Sequence, residues 1–472
     1  MSILPKSHLY FFLTLLSAGK SLLIYMVSLI LDNMIIRLRR EMMFMKRILV
    51  ILLSIISILV IGSVMNFIPK DYVSVVVYKN VAQNYSNLKN TTTFSFLLDT
   101  MGFEGLIKSM LQTQLLSYGL ELDEFLDLFS NEIMTVTFEN KDVCVVAGPS
   151  ESAGKVVDAL RDIISQTTGE GTSVVVEAYE GYVFIAGKKE SIEKCKEGGG
   201  SIPKTFPESA WVISYSPSAK LEDMEFSAEG YSLFEDGKAI SKGTIVPLNQ
   251  SAREFLSNLE PVGGDLKDMV AGELTLYLNM KDPVTFLETL TKSLEGIAQE
   301  VQNEIPLEIK PPEEKEMKVL EDLKEKVHGL GYLALDFHEP LVEIMMGATE
   351  VTTQPKLKVS LKADVTSQDL EELFKSGEVS YEKRGDYYLV ENRLYVRAKG
   401  GYVNAYYPDP NVSFSPDALE KVKERMEGDE SLLLYVDLSE LIESLSGTQK
   451  EAYILLKLKV VDGKVNTSFI LK

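Results

Sequence analysis

The chain has 472 residues and a formal net charge of −21, with 45% hydrophobic and 25% charged side chains. This length allows two or three domains, and the composition is that of a globular protein, not a disordered one. Residues 1–70 carry eight basic and two acidic side chains, a net of +6, so the remainder carries −27 (−21 minus +6). A domain this acidic repels phosphate backbones, so we expect no nucleic-acid partner. The two cysteines, Cys144 and Cys195, exclude a disulfide-rich scaffold and leave open either one disulfide or two buried thiols.

An uncharged apolar stretch near the N-terminus predicts a membrane-spanning helix. It covers 21 residues, from Ile48 to Ile68, and a helix of that length crosses a hydrocarbon core of about 30 Å. Basic residues precede it and no basic excess follows, which places the N-terminal side in the cytoplasm and the C-terminal domain outside. We therefore predict a single-pass signal-anchor over residues 45–70, with the membrane as a partner. The absence of an Ala-x-Ala site favours an uncleaved anchor, although cleavage near Gly62 and Ser63 stays open.

Residues 1–44 look like an N-terminal extension with a weaker apolar segment. That segment, Leu9 to Leu31, is interrupted by Lys20, whose charge is unfavourable at the centre of a membrane helix. Met42, Met43 and Met45 stand directly before a basic pair, as at a natural protein start. Our hypothesis is that residues 1–41 result from an upstream start site and are absent from the cellular protein.

A short pattern recurs in the outer domain and predicts repeated strand-helix units. Each copy is an apolar strand ending in Tyr, with Asn or Asp two residues later and an amphipathic helix beyond. We predict that Asn80, Asn279 and Asp437 cap or turn into these helices, because side-chain oxygens accept hydrogen bonds from free helix amides. The alternative is that the preceding tyrosines contact a ligand. The copies are 75–80, 274–279 and 432–437, with a weaker fourth at 211–217.

The remaining pattern predicts an α+β fold of mostly antiparallel sheet packed with helices. Alternating runs separated by turn residues predict hairpins at 133–147, 174–186 and 453–471, and an antiparallel set within 357–407. Helices are predicted at 104–116, 121–129, 152–164, 283–301, 313–327 and 416–426. The Gly198–Gly200 run with two nearby prolines predicts a boundary between a first lobe, residues 71–203, and a second, residues 204–472.

Two segments carry a family resemblance. The opening Pro69–Val77 and the acidic amphipathic stretch Gly119–Phe129, which precedes a strand, resemble a broad bacterial family of membrane-anchored extracytoplasmic proteins known only as a domain of unknown function. The resemblance covers residues 68–300. It implies an N-terminal membrane segment followed by lobes outside the cytoplasm, and it implies no catalytic residues.

Residues 409–420 have the oxygen-ligand spacing of a calcium-binding loop, with candidate ligands at positions 1, 3, 5, 9 and 12. Phe414 stands where the loop needs glycine, and Pro416 makes the start of a helix an equally simple interpretation. The candidate ligands are Asp409, Asn411, Ser413, Asp417 and Glu420.

Two other candidate sites have simpler interpretations. The stretch from Gly148 to Val156 resembles a phosphate-binding loop but has the wrong glycine spacing, so a capped turn explains it better. His328 and His338 could join a carboxylate in a metal site, but their spacing matches no metal motif, and a solvated histidine at a turn is the simpler interpretation.

Without a catalytic motif, the sequence predicts no cofactor and favours a non-enzymatic, membrane-anchored extracytoplasmic protein that binds or scaffolds a component of the cell envelope. Two alternatives remain. One is a hydrolase with carboxylates dispersed in the sequence, which would bring a desolvated acid pair together in a cleft. The other is a carrier or chaperone for an apolar ligand, which would enclose a large apolar pocket.

Overall fold

The computed structural model of the protein describes residues 63–100, 102–167, 174–221, 223–264, 268–283, 286, 326–346, 351–376 and 380–472. It mixes helices with antiparallel sheet, as predicted. The chain divides into two compact units. Within the described residues, the first unit comprises 63–253, 448–454 and 463–472, and the second comprises 254–447 and 455–462.

The first unit is an antiparallel sheet with helices. Its strands pair in the order β4-β5-β3-β2-β1-β6-β7-β8-β18. The strands are β1 (Ser74–Lys79), β2 (Glu132–Thr137), β3 (Val143–Gly148), β4 (Val175–Tyr179), β5 (Tyr182–Ala186), β6 (Val212–Leu221), β7 (Met224–Glu235), β8 (Lys238–Pro247) and β18 (Lys464–Leu471). The helices are α1 (Val81–Lys89), α2 (Thr92–Ser95), α3 (Phe103–Ser117), α4 (Leu122–Asn131), α5 (Ala153–Thr167) and α6 (Lys189–Glu197), with a π-helical turn at Phe96–Thr100 and a 3-10 turn at Ser63–Phe67.

Strand β3 is covered on both faces, which is why its sequence is continuously apolar. On β3, Val145 and Ala147 pack with α4 and α5 in one core cluster. Cys144 and Val146, whose side chains point the other way, pack in a second cluster with α6 and the 3-10 turn. Because side chains alternate along a strand, β3 contributes residues to both core clusters.

The second unit contains antiparallel strands that pair in the order β16-β9-β10-β11-β15-β14-β13-β12. Its strands are β9 (Leu274–Asn279), β10 (Val327–Asp336), β11 (Lys356–Ala363), β12 (Tyr381–Arg384), β13 (Tyr387–Val390), β14 (Leu394–Lys399), β15 (Tyr402–Tyr407) and β16 (Leu432–Asp437). Its helices are α8 (His338–Met345), α9 (Ser367–Ser376), α10 (Pro416–Lys423) and α11 (Ser439–Ser446). Helix α7 (Gln250–Asn258) and strand β17 (Tyr453–Val461) run across the divisions between the units.

The predicted lobe boundary at residues 198–207 differs from the observed division at residue 253. Strands β6, β7 and β8 continue the sheet that begins at β1, so residues 204–253 belong to the first unit. The glycine run is a close approach of two backbones: Gly200 donates its N–H to the Ile68 carbonyl at 2.8 Å. A Cβ on Gly200 would lie 2.0 Å from the Pro69 carbonyl oxygen. The glycines therefore serve packing here, not a linker.

The end of the predicted membrane span lies inside the first unit. Val64, Phe67 and Ile68 are buried in its core, and the buried Glu132 carboxylate accepts the Val64 N–H at 2.8 Å. Residues 48–62 lie outside the described residues, and among the described ones no helix is long and apolar enough to cross a membrane.

Of the predicted helices, 283–301 and 313–327 lie mostly outside the described residues, and Val327 opens strand β10. The other four are present with ends shifted by a few residues. The hairpins β2–β3 and β4–β5 and the set β11–β15 also match the prediction.

Candidate functional site

Three acidic residues meet at one end of the second sheet. Glu273 directly precedes β9, whereas Asp336 ends β10 and Asp437 ends β16. Because both neighbours run antiparallel to β9, their ends lie beside its beginning. The Glu273 N–H donates to Asp336 Oδ1 at 3.1 Å, and the Asp437 N–H donates to the Glu273 carbonyl at 2.6 Å.

The buried Glu273 carboxylate holds the start of helix α8. Its Oε2 accepts the N–H groups of Phe337 at 2.6 Å and His338 at 2.7 Å. The first amides of a helix have no partner within the helix, and the helix dipole favours a negative charge there. Glu273 therefore caps α8 from 64 residues away in sequence.

Glu273, His338 and Glu440 form a carboxylate–histidine cluster. Glu273 Oε1 is hydrogen-bonded to His338 Nδ1, and the same nitrogen lies 3.5 Å from Glu440 Oε2. The Glu273 side chain is 10% exposed, His338 22% and Glu440 62%. The cluster thus has a buried carboxylate at its base and a solvent-facing carboxylate on helix α11.

The electrostatics of this cluster favour a cation. Burial raises the pKa of Glu273, against the opposing effect of its two amide hydrogen bonds and of His338. Burial also raises the pKa of Asp336, and the negative charge of Glu440 adds to that rise. Lys356 Nζ lies 3.8 Å from Asp336 and offsets part of this charge. Closely spaced, partly desolvated carboxylates repel one another, and a bound cation would relieve that repulsion.

Each of these three residues offers one atom that could bind a metal ion, and the three atoms all lie within 4.8 Å of one another. Among the residues that the structure describes, this is the group of His, Cys, Asp or Glu side chains that meets this condition. One imidazole nitrogen with two carboxylate oxygens suits Zn²⁺, which binds such atoms at about 2.0–2.2 Å. Mg²⁺ and Ca²⁺ prefer oxygen ligands alone. A Zn²⁺ ion bound through Glu273 Oε1 would leave Oε2 with its two amides. Water could complete the coordination on the exposed side.

The structure does not bring the two histidines together. His328 is near the start of β10 and His338 follows its end; the eight residue steps from His328 to Asp336 span at most about 26 Å. His328 Nε2 instead pairs with Asp364 Oδ2 at 2.7 Å. His338 instead pairs with Glu273, so the two histidines have different acidic partners.

The calcium-loop candidates lie after β15 and on α10. Asp409 Oδ1 accepts the Asn411 N–H at 2.7 Å, and Glu420 Oε1 pairs with Lys423 at 3.1 Å. Asp417 and Ser413 are exposed. Calcium binding by this loop stays a prediction.

The stretch that resembles a phosphate-binding loop is a turn between β3 and α5. Ser150 Oγ accepts the Ser152 N–H at 3.1 Å and contacts Asp127 Oδ2 at 2.7 Å. The Lys155 ammonium is engaged by the Glu124 carboxylate at 2.7 Å. These contacts support the capped-turn interpretation.

The three repeated Asn and Asp residues differ in their contacts. Asp437 Oδ1 accepts the Ser439 N–H at 3.0 Å at the start of α11, as predicted. Asn279 Oδ1 accepts the N–H groups of Val262 and Gly263, both at 3.1 Å, and so holds a preceding loop. Asn80 has φ 49° and makes no side-chain cap bond to α1.

Asp437→Ala should lower the free energy of unfolding by about 1–2 kcal/mol, because it removes the acceptor of the Ser439 N–H at the start of α11 and a 2.7 Å ion pair with Lys421. These hydrogen bonds outweigh burial and hold the pKa of Asp437 below its usual range. Urea unfolding of the variant tests this, with Glu443→Ala, exposed on the same helix, as the matched control. Equal unfolding midpoints for the two variants would contradict the capping role.

Comparison with known proteins gives no match for the chain among protein-family models, curated proteins or solved structures.

Proposed function

We propose that this chain is a membrane-anchored extracytoplasmic protein, non-enzymatic, that binds a divalent transition-metal ion through Glu273, His338 and Glu440. The observation that carries the metal site is the convergence of one imidazole and two carboxylates from three separate parts of the chain. The extracytoplasmic location rests on the apolar segment and its basic N-terminal flank.

The proposed membrane anchor lies before Ser63, because residues 63–68 belong to the folded first unit.

A shared strand order supports an origin of the two units by duplication, as the repeated sequence pattern suggests. In the first unit, the order is β6-β1-β2-β3-β5, so β1, the first of these strands in the chain, lies beside β6, the last. In the second unit, β16-β9-β10-β11-β15 is the same arrangement. Within each unit, every neighbouring pair in this order is antiparallel.

The site lies where the second unit departs from this shared order. The first unit joins β2 to β3 by a tight turn, whereas the second places α8 between β10 and β11. The first unit continues from β6 into β7, whereas the second follows β16 with α11. His338 and Glu440 are on these two extra helices. Helices α8 and α11 are not part of the strand order that the two units share, yet both bring a side chain to the buried Glu273 carboxylate. This favours a binding role for the cluster over a purely structural one.

A hydrolase is the second candidate, and the exposed side of the cluster is the observation that favours it. Zinc sites with three protein ligands and an open position are typical of catalysis by bound water. Zinc-dependent hydrolysis of an activated ester, lost in His338→Ala and kept in His328→Ala, would favour this candidate.

Calorimetric titration of the detergent-solubilised full chain with Zn²⁺ tests the metal site. We expect one ion per chain, and a loss of affinity of about 100-fold in His338→Ala, because removing one of three ligands removes several kcal/mol of binding. His328→Ala and Glu443→Gln should bind as the unaltered chain does, since both residues lie outside the cluster.

The affinity should also fall as the pH decreases from about 7.5 to about 5.5, because a metal ligand has to be deprotonated. Burial raises the pKa of Glu273, so its carboxyl takes up a proton at a higher pH than an exposed glutamate would. Titration with Ca²⁺ in parallel separates this site from residues 409–420. Equal Zn²⁺ affinity in His338→Ala and His328→Ala would contradict the proposal.

A further inference from the structure

The chain contains two cysteines, and the fold brings them together. Cys144 is on strand β3 and Cys195 is on helix α6, 51 residues apart in sequence. Both are fully buried, in the same core cluster of the first unit. The two thiols are close enough to interact, since Cys195 is the largest cause of the raised pKa of the Cys144 thiol.

The local structure around β3 and α6 explains why Cys144 and Cys195 lie close together. Strand β3 pairs with β5, which leads directly into α6, so the helix packs back over both strands. Asp142, just before β3, accepts the N–H groups of Gly187 and Lys188, both at 3.1 Å, and also the Ser191 hydroxyl. The start of α6 is thereby fixed beside the start of β3. Cys195 lies one helical turn beyond Ser191, on the buried face of α6.

We infer that Cys144 and Cys195 form a disulfide in the exported protein, an inference that rests on the proposed extracytoplasmic location. The reaction is thiol–disulfide exchange with a protein or small-molecule disulfide. The two thiols give up two protons and two electrons, an S–S bond forms between them, and the oxidant's S–S bond is reduced to two thiols.

Burial determines when this reaction takes place. Cys195, together with burial, raises the pKa of the Cys144 thiol, and the thiolate is the reactive form. The folded, reduced pair is therefore a poor substrate for exchange. Oxidation has to precede closure of the core around β3 and α6, after which the bond is shielded from reductants.

Two thiols in a cytosolic protein would pack in the same place as small apolar groups. The location of the domain therefore decides between the two states, since disulfides persist in oxidising compartments. A bond across about 50 residues restricts the unfolded chain, and we expect it to raise the melting temperature by about 5–15 °C.

Maleimide labelling of the full chain under denaturing conditions tests the inference. Digestion of the domain by protease added to intact cells shows first that the domain is exported. In undigested protein from the same cells, we expect no label without reduction and two labels after it. Cys144→Ser and Cys195→Ser are the controls, with one label in either case. Reduction should lower the melting temperature of the unaltered chain and leave that of Cys144→Ser unchanged.

Two labels without reduction, in protein that external protease digests, would overturn the disulfide. Protection from protease would contradict the extracytoplasmic location instead, and a second arm then tests the cysteine pair alone. The solubilised full chain, unfolded, reduced and refolded in excess oxidised glutathione, should form the internal bond. Recovery of folded protein with free thiols or two glutathione adducts would overturn the inference.

Discussion

Glu132→Gln should raise the free energy of unfolding of the first unit by about 1–3 kcal/mol at about pH 8. Glu132 is 5% exposed, and its carboxylate accepts one backbone N–H, that of Val64. Burial raises the pKa of this carboxyl to about 7. One pKa unit corresponds to about 1.4 kcal/mol, so the ionised form is disfavoured by about 3 kcal/mol in the folded state. Glutamine keeps the acceptor and removes the charge.

The sign of the pH dependence follows from proton uptake. Between the ordinary glutamate pKa of about 4.5 and the raised value of about 7, the folded state holds a proton that the unfolded state releases. Stability therefore decreases as the pH rises through this window. Urea unfolding at about pH 5 and about pH 8 should show a smaller pH difference in Glu132→Gln than in the unaltered chain.

The matched control is Glu151→Gln, an exposed glutamate of the same unit. The net charge of −21 makes the whole protein repel itself more strongly at high pH, and the control reports that general effect. If Glu132→Gln and Glu151→Gln changed the pH difference equally, the burial of Glu132 would not be its cause.

Gly329→Ala should be the most destabilising single substitution considered, lowering the free energy of unfolding by more than about 4 kcal/mol. Gly329 has φ +66°, and a Cβ there would lie 1.6 Å from the Met280 carbonyl oxygen. Its own carbonyl accepts the Met280 N–H at 2.9 Å. The β9 and β10 backbones would have to separate, beyond the cost of about 1–2 kcal/mol for a left-handed alanine.

Gly385→Ala isolates the conformational part of that effect. Gly385 has φ +63° and no atom within 4 Å of the Cβ position, so alanine there meets only the backbone penalty. Urea unfolding, or soluble yield if Gly329→Ala does not fold, should separate the two variants by several kcal/mol. Equal destabilisation would show that the close approach at Met280 relaxes easily.

Local patterns in the sequence were enough to predict much of the sheet. The hairpin β2–β3 has apolar runs on either side of a polar turn, and its two buried faces explain the continuous run in β3. Strands β7 and β8 were not predicted, because their residues are mostly half-buried and carry little alternation. The glycines at 198–200 were interpreted as a linker because glycine in a linker and glycine at a close backbone contact look alike in sequence.

The candidate site was only partly predictable. His338, beside Asp336 at the end of an apolar strand, is visible in the sequence. Glu273 and Glu440 lie 65 and 102 residues away from it, and no local pattern links them. Their proximity depends on β9 lying between β10 and β16 in the sheet, a long-range pairing that periodicity does not determine. One signal was present: an acidic residue directly before the apolar strand in one copy of the repeat.

The most direct test of the metal site is an anomalous difference map at the zinc absorption edge, from crystals of the zinc-loaded protein. We expect a peak bounded by Glu273, His338 and Glu440, about 2.0–2.2 Å from one imidazole nitrogen and two carboxylate oxygens. A zinc-loaded crystal without a peak at these three side chains would contradict the account, even if zinc bound elsewhere on the protein.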